Sequence, residues 1–353
     1  MAHGSEAVVD RPFVFRSRSE LVLATADREI GRHTGEYVDF GFTRDDSHVY
    51  ALDDTGRVDV VEADSGAMLP QRLECHCTRV FPLTGTTVGW WQEPGTYLRA
   101  DLLNPKLVAA MSIFLPQESV APGNVLSAPR LLTADQRTLI IDRVESPRGA
   151  SWGINHLSAV DADTAAARPL DTMGTGVNTA FATAALRPDG RAVTLSGYAR
   201  DGNTCGTARL VRIDLARDRT ETFDPPWLAP CSALTDLRWH GSEPIITNLS
   251  WEPNAPDHTT ATAVWIQQET RWDRQGGNDT LRRASLTPVV TLEIRRTGRD
   301  RVRTVHSGAL LLLAGTDARV LAHNVVDLRL PYGEREPPAD RPPPRLRSAT
   351  DHG

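Results

Sequence analysis

A short pattern that predicts two strands joined by a tight turn recurs along this chain of 353 residues. In one copy, Phe42 precedes the turn pair Asp45-Asp46, and Val49 begins the second apolar run. Further copies in the same register start at Phe81, Leu132, Leu186 and Leu237. Their intervals are mostly about 40 to 55 residues, the range in which blade-type repeats occur. The chain is therefore predicted to repeat one supersecondary unit.

Each unit is predicted to be a small antiparallel sheet. Asp-Gly and Asp-Asp pairs favour tight turns, because Gly adopts positive φ at little cost and Asp bonds its own backbone. The flanking runs are rich in Val, Leu, Ile and Thr, which suit a pleated, half-buried surface. A third run of this kind follows in several units, at 56–64, 96–104, 153–163 and 208–218. Helical patterns are scarce, and the best candidate, 104–115, fits a strand about as well.

These repeats predict an all-β fold, a β-propeller. Short strands with frequent turns also suit a sandwich or a closed barrel, but a single sandwich rarely needs more than about 300 residues. We expect one domain over 12–330 with seven blades, mostly of four antiparallel strands. The unit cores lie near 12–32, 37–70, 78–115, 127–171, 182–224, 232–275 and 286–330. If the first unit instead closes the last blade, six blades result. Disorder is expected for 1–11 and for the Pro- and Arg-rich tail at 331–353.

The strongest repeat carries a family resemblance. The sequence "LRPDGRAVTLSG" at 186–197, followed by "ARLVRIDLARDRTETF" at 208–223, resembles the bacterial repeat of TolB-like and WD-repeat-like propellers. The sequence "GRVDVVEADSGAM" at 56–68 is similar to the third strand and closing turn of these families and to the YVTN-type repeat. The Trp-Asp dipeptide of eukaryotic WD repeats is not in its usual place, because Trp272-Asp273 lies elsewhere in its unit. The resemblance implies a propeller, and its TolB-like form implies an extracytoplasmic module as an alternative.

Charge and hydropathy narrow the range of partners and compartments. The chain has 39 basic and 45 acidic residues, a net charge of −6, which argues against binding to nucleic acid or to an anionic membrane. The longest apolar run, "GALLLLAG" at 308–315, suits a buried strand, so no transmembrane segment is expected. The N-terminus lacks the pattern of a secretory signal. We therefore expect a cytoplasmic protein, or an extracytoplasmic one if a leader was removed.

The four cysteines do not form a recognisable metal motif. Cys75, His76 and Cys77 are adjacent, but zinc sites usually combine two Cys-x-x-Cys pairs, and no second pair is present. In a strand, Cys75 and Cys77 would point to the same face, so plain strand packing is expected, with no metal and no cofactor. Cys205 and Cys231 could form a disulfide bond in an oxidising compartment.

Catalytic motifs are also missing from the sequence. It contains no Gly-x-Ser-x-Gly elbow, no phosphate loop and no His-Glu-x-x-His. His48 and His240 lie at predicted turns, and His156 is expected to be a satisfied strand histidine, with the central channel as the alternative. Polar residues near strand starts or blade interiors are Asp39, Glu93, Asn155 and Asp236. Without a motif they do not make a ligand set, so no catalytic residue is predicted.

The tryptophans give the remaining signal. Trp90 and Trp91 are adjacent in a predicted strand and must face opposite sides, which are both core in a propeller. Trp227 and Trp251 lie beside Pro-rich segments and are predicted to contact a partner. We expect a monomeric, non-catalytic module that binds a protein or peptide through one face of the ring. The alternative is a lactonase- or hydrolase-type enzyme. Convergent carboxylate, Asn or His side chains in the channel would favour the enzyme, and an apolar, arginine- or tryptophan-lined mouth would favour binding.

Overall fold

Every regular element that the structure describes is a β-strand. The computed structural model describes residues 12–150, 153–170, 179–199, 207–222, 232–240, 243–252, 255–259, 263–268, 271–275, 289–294, 308–314 and 317–332. These residues form 29 strands in seven antiparallel sheets, numbered here in chain order. The predicted all-β class is therefore confirmed. The segments 1–11 and 333–353 lie outside the described residues.

Sheets 1 to 3 each contain four strands. Sheet 1 contains β1 (Phe13–Arg16), β2 (Glu20–Ala24), β3 (Glu29–Thr34) and β29 (Asp327–Arg329), in the order β29-β1-β2-β3. Sheet 2 contains β4 (Tyr37–Phe42), β5 (His48–Asp53), β6 (Arg57–Glu62) and β7 (Leu73–Glu74). Sheet 3 contains β8 (Phe81–Thr84), β9 (Thr87–Gln92), β10 (Thr96–Asp101) and β11 (Asn104–Ser112).

Sheets 4 to 7 vary more in strand number. Sheet 4 contains β12 (Asn124–Leu126), β13 (Arg130–Ala134), β14 (Thr138–Pro147), β15 (Ile154–Asp161) and β16 (Ala167–Pro169). Sheet 5 contains β17 (Thr179–Leu186), β18 (Ala192–Ala199), β19 (Thr207–Asp214) and β20 (Arg219–Thr222). Sheet 6 contains β21 (Ser232–His240), β22 (Glu243–Glu252), β23 (Ala255–Thr259), β24 (Ala263–Gln268) and β25 (Arg271–Gln275). Sheet 7 contains β26 (Val289–Ile294), β27 (Gly308–Ala314) and β28 (Asp317–Val325).

The recurring turn pattern forms the hairpin between the first two strands of a sheet. Phe42 of β4 pairs with Val49 of β5, and Leu186 of β17 pairs with Val193 of β18. The turn residues Asp46 and Gly190 have φ values of 58° and 69°. This left-handed conformation is the one that Gly and Asp adopt most readily, which explains the turn pairs in the sequence. The runs predicted as third strands are β6, β10, β15 and β19.

The outer strand β11 resolves the ambiguous segment 104–115, which is a strand and not a helix. It projects beyond its neighbours because the outer strands of sheets 2 and 4 have only two and three residues. Leu107 on this strand and Phe114 after it are therefore 72% and 84% exposed. Such an uncovered edge is a place where other chains can pair.

The two ends of the described chain meet in sheet 1. Strand β29 pairs antiparallel with β1, so that Phe15 lies opposite Leu328. Phe13 and Phe15 share a buried cluster with Leu310 and Val325 of sheet 7. The N-terminal strands therefore form a sheet of their own with β29, and do not add to the last sheet as the six-blade alternative required. The number of blades around the ring stays a prediction.

Apolar clusters fill the spaces between consecutive sheets. One joins sheets 1 and 2, a second joins sheets 2 and 3, a third joins sheets 3 and 4, and a fourth joins sheets 4 and 5. Trp90 packs into the cluster on one side of sheet 3, and Trp91 packs against the cluster on the other side. The prediction that these adjacent tryptophans face opposite cores is confirmed.

Replacing Phe13 by Ala tests the packing of the first sheet on the last. Because Phe13 is buried in their shared cluster, we expect the free energy of unfolding in urea to fall by about 3–5 kcal/mol. Val38→Ala, at an exposed position of β4, is the control and should change stability by less than about 0.5 kcal/mol. A Phe13→Ala loss no larger than the control's would contradict this packing.

Candidate functional site

The first strands of the sheets lie together at the centre of the molecule. Contacts join β29 to β4, β8 to β13, β13 to β17 and β17 to β21. Direct contacts and charge interactions connect residues on or next to these strands: Arg79 and Arg329 act on the Asp39 carboxylate, and Arg79 and Arg130 both bond β17. We call this group of residues the channel mouth and define it by Asp39, Arg79, Arg130, Thr183 and Arg329.

Two arginines from different sheets reach the same stretch of β17. Arg79, just before β8, donates from Nη2 to the Thr183 hydroxyl over 3.2 Å. Arg130, the first residue of β13, donates from Nη2 to the Phe181 carbonyl oxygen over 2.7 Å. The first contact joins sheet 3 to sheet 5 and passes over sheet 4. The arginines therefore tie neighbouring inner strands together at the mouth.

The carboxylates of this region lie behind the arginines. Asp142 Oδ2 accepts from Arg130 Nη2 over 2.7 Å, and the Asp142 side chain is 0% exposed against 49% for that of Arg130. The other oxygen, Oδ1, has no hydrogen-bond partner among the described residues. Burial raises the pKa of Asp142 above its ordinary value, and the bond and charge of Arg130 oppose the rise. Of this ion pair, only the arginine is therefore accessible to solvent.

Asp39 of β4 occupies a comparable place in sheet 2. One of its carboxylate oxygens, Oδ2, accepts the Val80 N–H over 2.9 Å. Burial raises the pKa of Asp39, while the Val80 bond and the charges of Arg329 and Arg79 lower it in part. Arg329 itself donates to Asp327 Oδ1 over 2.6 Å, and its guanidinium lies 5.3 Å from the centre of the Phe40 ring. Asp39, Asp142 and Asp327 are thus each bonded by a described group of the protein.

His156, on β15, is bonded to two carboxylates. Glu145 lies on the neighbouring strand β14, and Glu118 lies between β11 and β12. Its Nδ1 lies 3.1 Å from Glu118 Oε2, and its Nε2 lies 2.9 Å from Glu145 Oε2. Glu145 Oε1 accepts the Ala121 N–H over 2.8 Å and the Asn124 Nδ2–H over 2.9 Å. The cluster therefore fastens the connection between β11 and β13 to sheet 4. His156 is the satisfied strand histidine that the sequence favoured, since both of its ring nitrogens lie within bonding distance of a carboxylate.

The Glu145 carboxylate is the charged anchor of this cluster. The bond from Asn124 does most to lower the pKa of Glu145, followed by the Ala121 N–H and by His156. The side chain is only 3% exposed, so its bonds replace those that water would make.

The structure distributes the other predicted site residues without bringing them together. Glu93 is exposed in the turn between β9 and β10, and Asn155 is fully buried on β15. His48 begins β5 and bonds the Ser47 hydroxyl through Nδ1 over 2.7 Å. Asp236 and His240 lie on β21 and Trp251 lies on β22, but their side chains are outside the described part of the chain. Trp227 is also outside it, so the two partner-binding tryptophans stay predictions.

The expected strand packing of Cys75 and Cys77 is wrong. Strand β7 ends at Glu74, and the chain then turns so that the two cysteines form a disulfide bond, with Cα atoms 5.2 Å apart. Gly56 lies against this turn, where a Cβ would come within 1.9 Å of the Cys75 carbonyl oxygen. Cys205 and Cys231 lie outside the described residues. Within the described ranges, no group of three or more His, Cys, Asp or Glu side chains is placed to hold a metal ion.

The sequence interpretation missed Arg79, Arg130 and Arg329. The repeat pattern indicates two of them. Arg79 stands two positions before Phe81, the first apolar residue of its repeat, and Arg130 stands two positions before Leu132. Arginine at the same repeat position in consecutive units indicates a shared place at the mouth. Arg329 had no such signal, since it belongs to the closing strand.

Comparisons with known proteins show the fold. No protein-family model matches the chain, and no curated protein matches it. Among solved structures, it is similar to U3-55K, with 12% identity, 86% of this chain and 92% of that chain covered, and a TM-score of 0.50. The RRP9 WD40 repeats share 11% identity over 76% and 77% of the chains, with a TM-score of 0.47. An oligogalacturonate lyase from Vibrio parahaemolyticus shares 10% over 89% and 91%, with a TM-score of 0.49. The predicted β-propeller fold is confirmed.

The Glu145 cluster predicts a pH-dependent loss of stability. Because the pKa of Glu145 is lowered by folding, its contribution is complete above the ordinary value of 4.5 and is lost as the pH falls through the folded value. Glu145→Gln should therefore unfold more easily in urea at pH 7, by roughly 1–2 kcal/mol, and the difference from the natural protein should shrink towards pH 3. Glu74→Gln, at an exposed position, is the control. Equal stability of the two variants at pH 7 would contradict this role.

Proposed function

We propose that this propeller is a non-catalytic module that binds a protein or peptide through the face of the ring that carries the channel mouth. The observation that supports this function is the arrangement of charge at the mouth. The half-exposed guanidinium of Arg130 faces outward, while its counter-ion Asp142 is fully buried. Arginine is enriched at protein interfaces because its planar group bonds and stacks at once.

The carboxylates near the mouth are already bonded to other groups of the protein, and this supports a binding function over a catalytic one. Asp39 is bonded by the Val80 N–H, Asp142 by Arg130, and Asp327 by Arg329. A carboxylate that acts as a nucleophile or general base must be within reach of the reacting atoms. The fold does not decide between the two roles, because propellers serve both as platforms and as enzymes.

A lactonase- or hydrolase-type enzyme is the second candidate, and one observation favours it. Burial raises the pKa values of Asp39 and Asp142, both beside the inner strands. Carboxyl groups with raised pKa values are typical of active sites, although burial in a purely structural place raises them too. In this second function the channel mouth would admit a small ester and not a peptide.

The compartment and the oligomeric state belong to the same proposal. The sequence favours a cytoplasmic monomer, but the Cys75–Cys77 disulfide favours the extracytoplasmic alternative, because such bonds persist in oxidising compartments. Thiol titration of the denatured protein from its native cell would decide this, since two fewer free thiols than cysteines are expected if the bond forms. The described residues contain no helix long and apolar enough to cross a membrane.

Capture of the partner with matched variants tests the proposed function. The purified chain should retain a stoichiometric protein from the extract of its native cell, and Trp227→Ala and Trp251→Ala should each retain less of it. Arg217→Gln, at an exposed position in the turn between β19 and β20, is the control and should retain as much as the unaltered chain. Failure to retain any partner, together with metal-dependent hydrolysis of lactones, would replace this function by the second candidate.

A further inference from the structure

The residues at the mouth also indicate which chemistry of a partner they recognise. Arg79 and Arg130 approach β17 from two different sheets, and their contact points, Thr183 and Phe181, are two residues apart. The register of β17 shifts between Phe181 and Thr183, so both contact points lie at one bulge of this strand. Two guanidinium groups therefore converge on one short stretch of the inner wall.

Both arginines are held in place by contacts that leave donors free. The Arg79 guanidinium lies 5.0 Å from the centre of the Phe81 ring, and Arg130 is bonded to the buried Asp142. A guanidinium group carries five N–H donors, and among the described residues each arginine donates only from its Nη2. The Nε and Nη1 donors of Arg79 and Arg130 bond no acceptor among the described residues. Fixed groups with spare donors suit recognition, because little side-chain entropy is lost on binding.

We infer that Arg79 and Arg130 form a carboxylate-binding pair that receives an acidic side chain of the partner. This inference rests on the proposed function, since it names what the partner presents to the mouth. The planar fork of arginine matches a carboxylate and bonds it through two parallel N–H groups.

The local balance of charge favours a singly charged group. Asp39 and Asp142 lie next to the two arginines and cancel part of their positive field. A phosphate monoester carries about −1.5 to −2 charges at pH 7 and would be repelled more strongly by these acids. A carboxylate, with a charge of −1, fits a site in which the arginines are partly neutralised.

Peptide binding to the whole chain tests the pair. The probe is the blocked peptide acetyl-Ala-Glu-Glu-Glu-Ala-amide, titrated by calorimetry at low salt. We expect binding by the natural chain, and a dissociation constant about tenfold or more higher for Arg79→Gln and for Arg130→Lys, because each loses a charge-assisted bond. Arg217→Gln, whose side chain is 80% exposed and remote from the mouth, is the control and should bind as the natural chain does.

The choice of Lys at position 130 keeps the test valid. Arg130→Gln would leave Asp142 buried without its partner and could unfold sheet 4, whereas Lys retains the charge but not the planar fork. Circular dichroism should show that Arg79→Gln is still folded at 25 °C, with a melting temperature lowered by the loss of the Thr183 bond and of the charge near Asp39. Equal binding by all four chains, or binding by none of them, would overturn the inference.

Three further probes distinguish the source of the negative charge. The blocked peptide acetyl-Ala-Gln-Gln-Gln-Ala-amide should not bind. The same glutamine peptide with a free C-terminal carboxylate should bind weakly, and equal affinity with the glutamate peptide would overturn the assignment to a side chain. Inorganic phosphate should compete poorly, and strong competition would show a general anion site instead.

Partner capture separates this inference from the proposed function. If the natural chain retains a partner and both Arg79→Gln and Arg130→Lys retain it equally, the carboxylate pair is wrong while the proposed function stands. If the natural chain retains no partner, the proposed function fails, whatever the peptide titration shows.

Discussion

Each small sheet of this protein has two apolar faces, and only the neighbouring sheets can cover both. The clusters that contain Trp90 and Trp91 show this directly, because adjacent residues of one strand lie in different cores. Apolar burial is roughly proportional to the area removed from water, so a sheet left at the end of a row would lose half of its stabilisation. The pairing of β29 with β1 meets this need by joining the two ends of the described chain.

The same constraint explains where polar chemistry is found. Side chains between sheets are mostly apolar, and a charged group that is buried there, such as Asp142 or Glu145 of β14, is bonded to a partner. Burial of Asp142 requires Arg130 of the inner strand β13, and this pair fixes the guanidinium at the channel mouth. Because the buried Asp142 needs a counter-ion, Arg130 is held in one place while its side chain stays half-exposed. The binding function that we propose uses this guanidinium group to contact the partner.

Local patterns in the sequence predicted the hairpins well and the site poorly. The turn at Asp45-Asp46 and the third strand at 57–62 depend on neighbours in the chain, so their residues alone reveal them. The contact of Arg79 with Thr183 joins residues 104 positions apart, and no local pattern encodes it. Likewise, Glu145 finds Ala121, Asn124 and His156 only because β12 and β15 both pair with β14.

By itself, the sequence determined the strand-forming units, because turn residues and alternating apolar runs act through the nearest neighbours in the chain. It also determined that both faces of a strand such as Trp90-Trp91 must be buried. Only the tertiary structure decided which ends meet, that Cys75 bonds Cys77, and which acids lie behind which arginines. These outcomes depend on the distances between sheets, and such distances are fixed only when all the cores pack together.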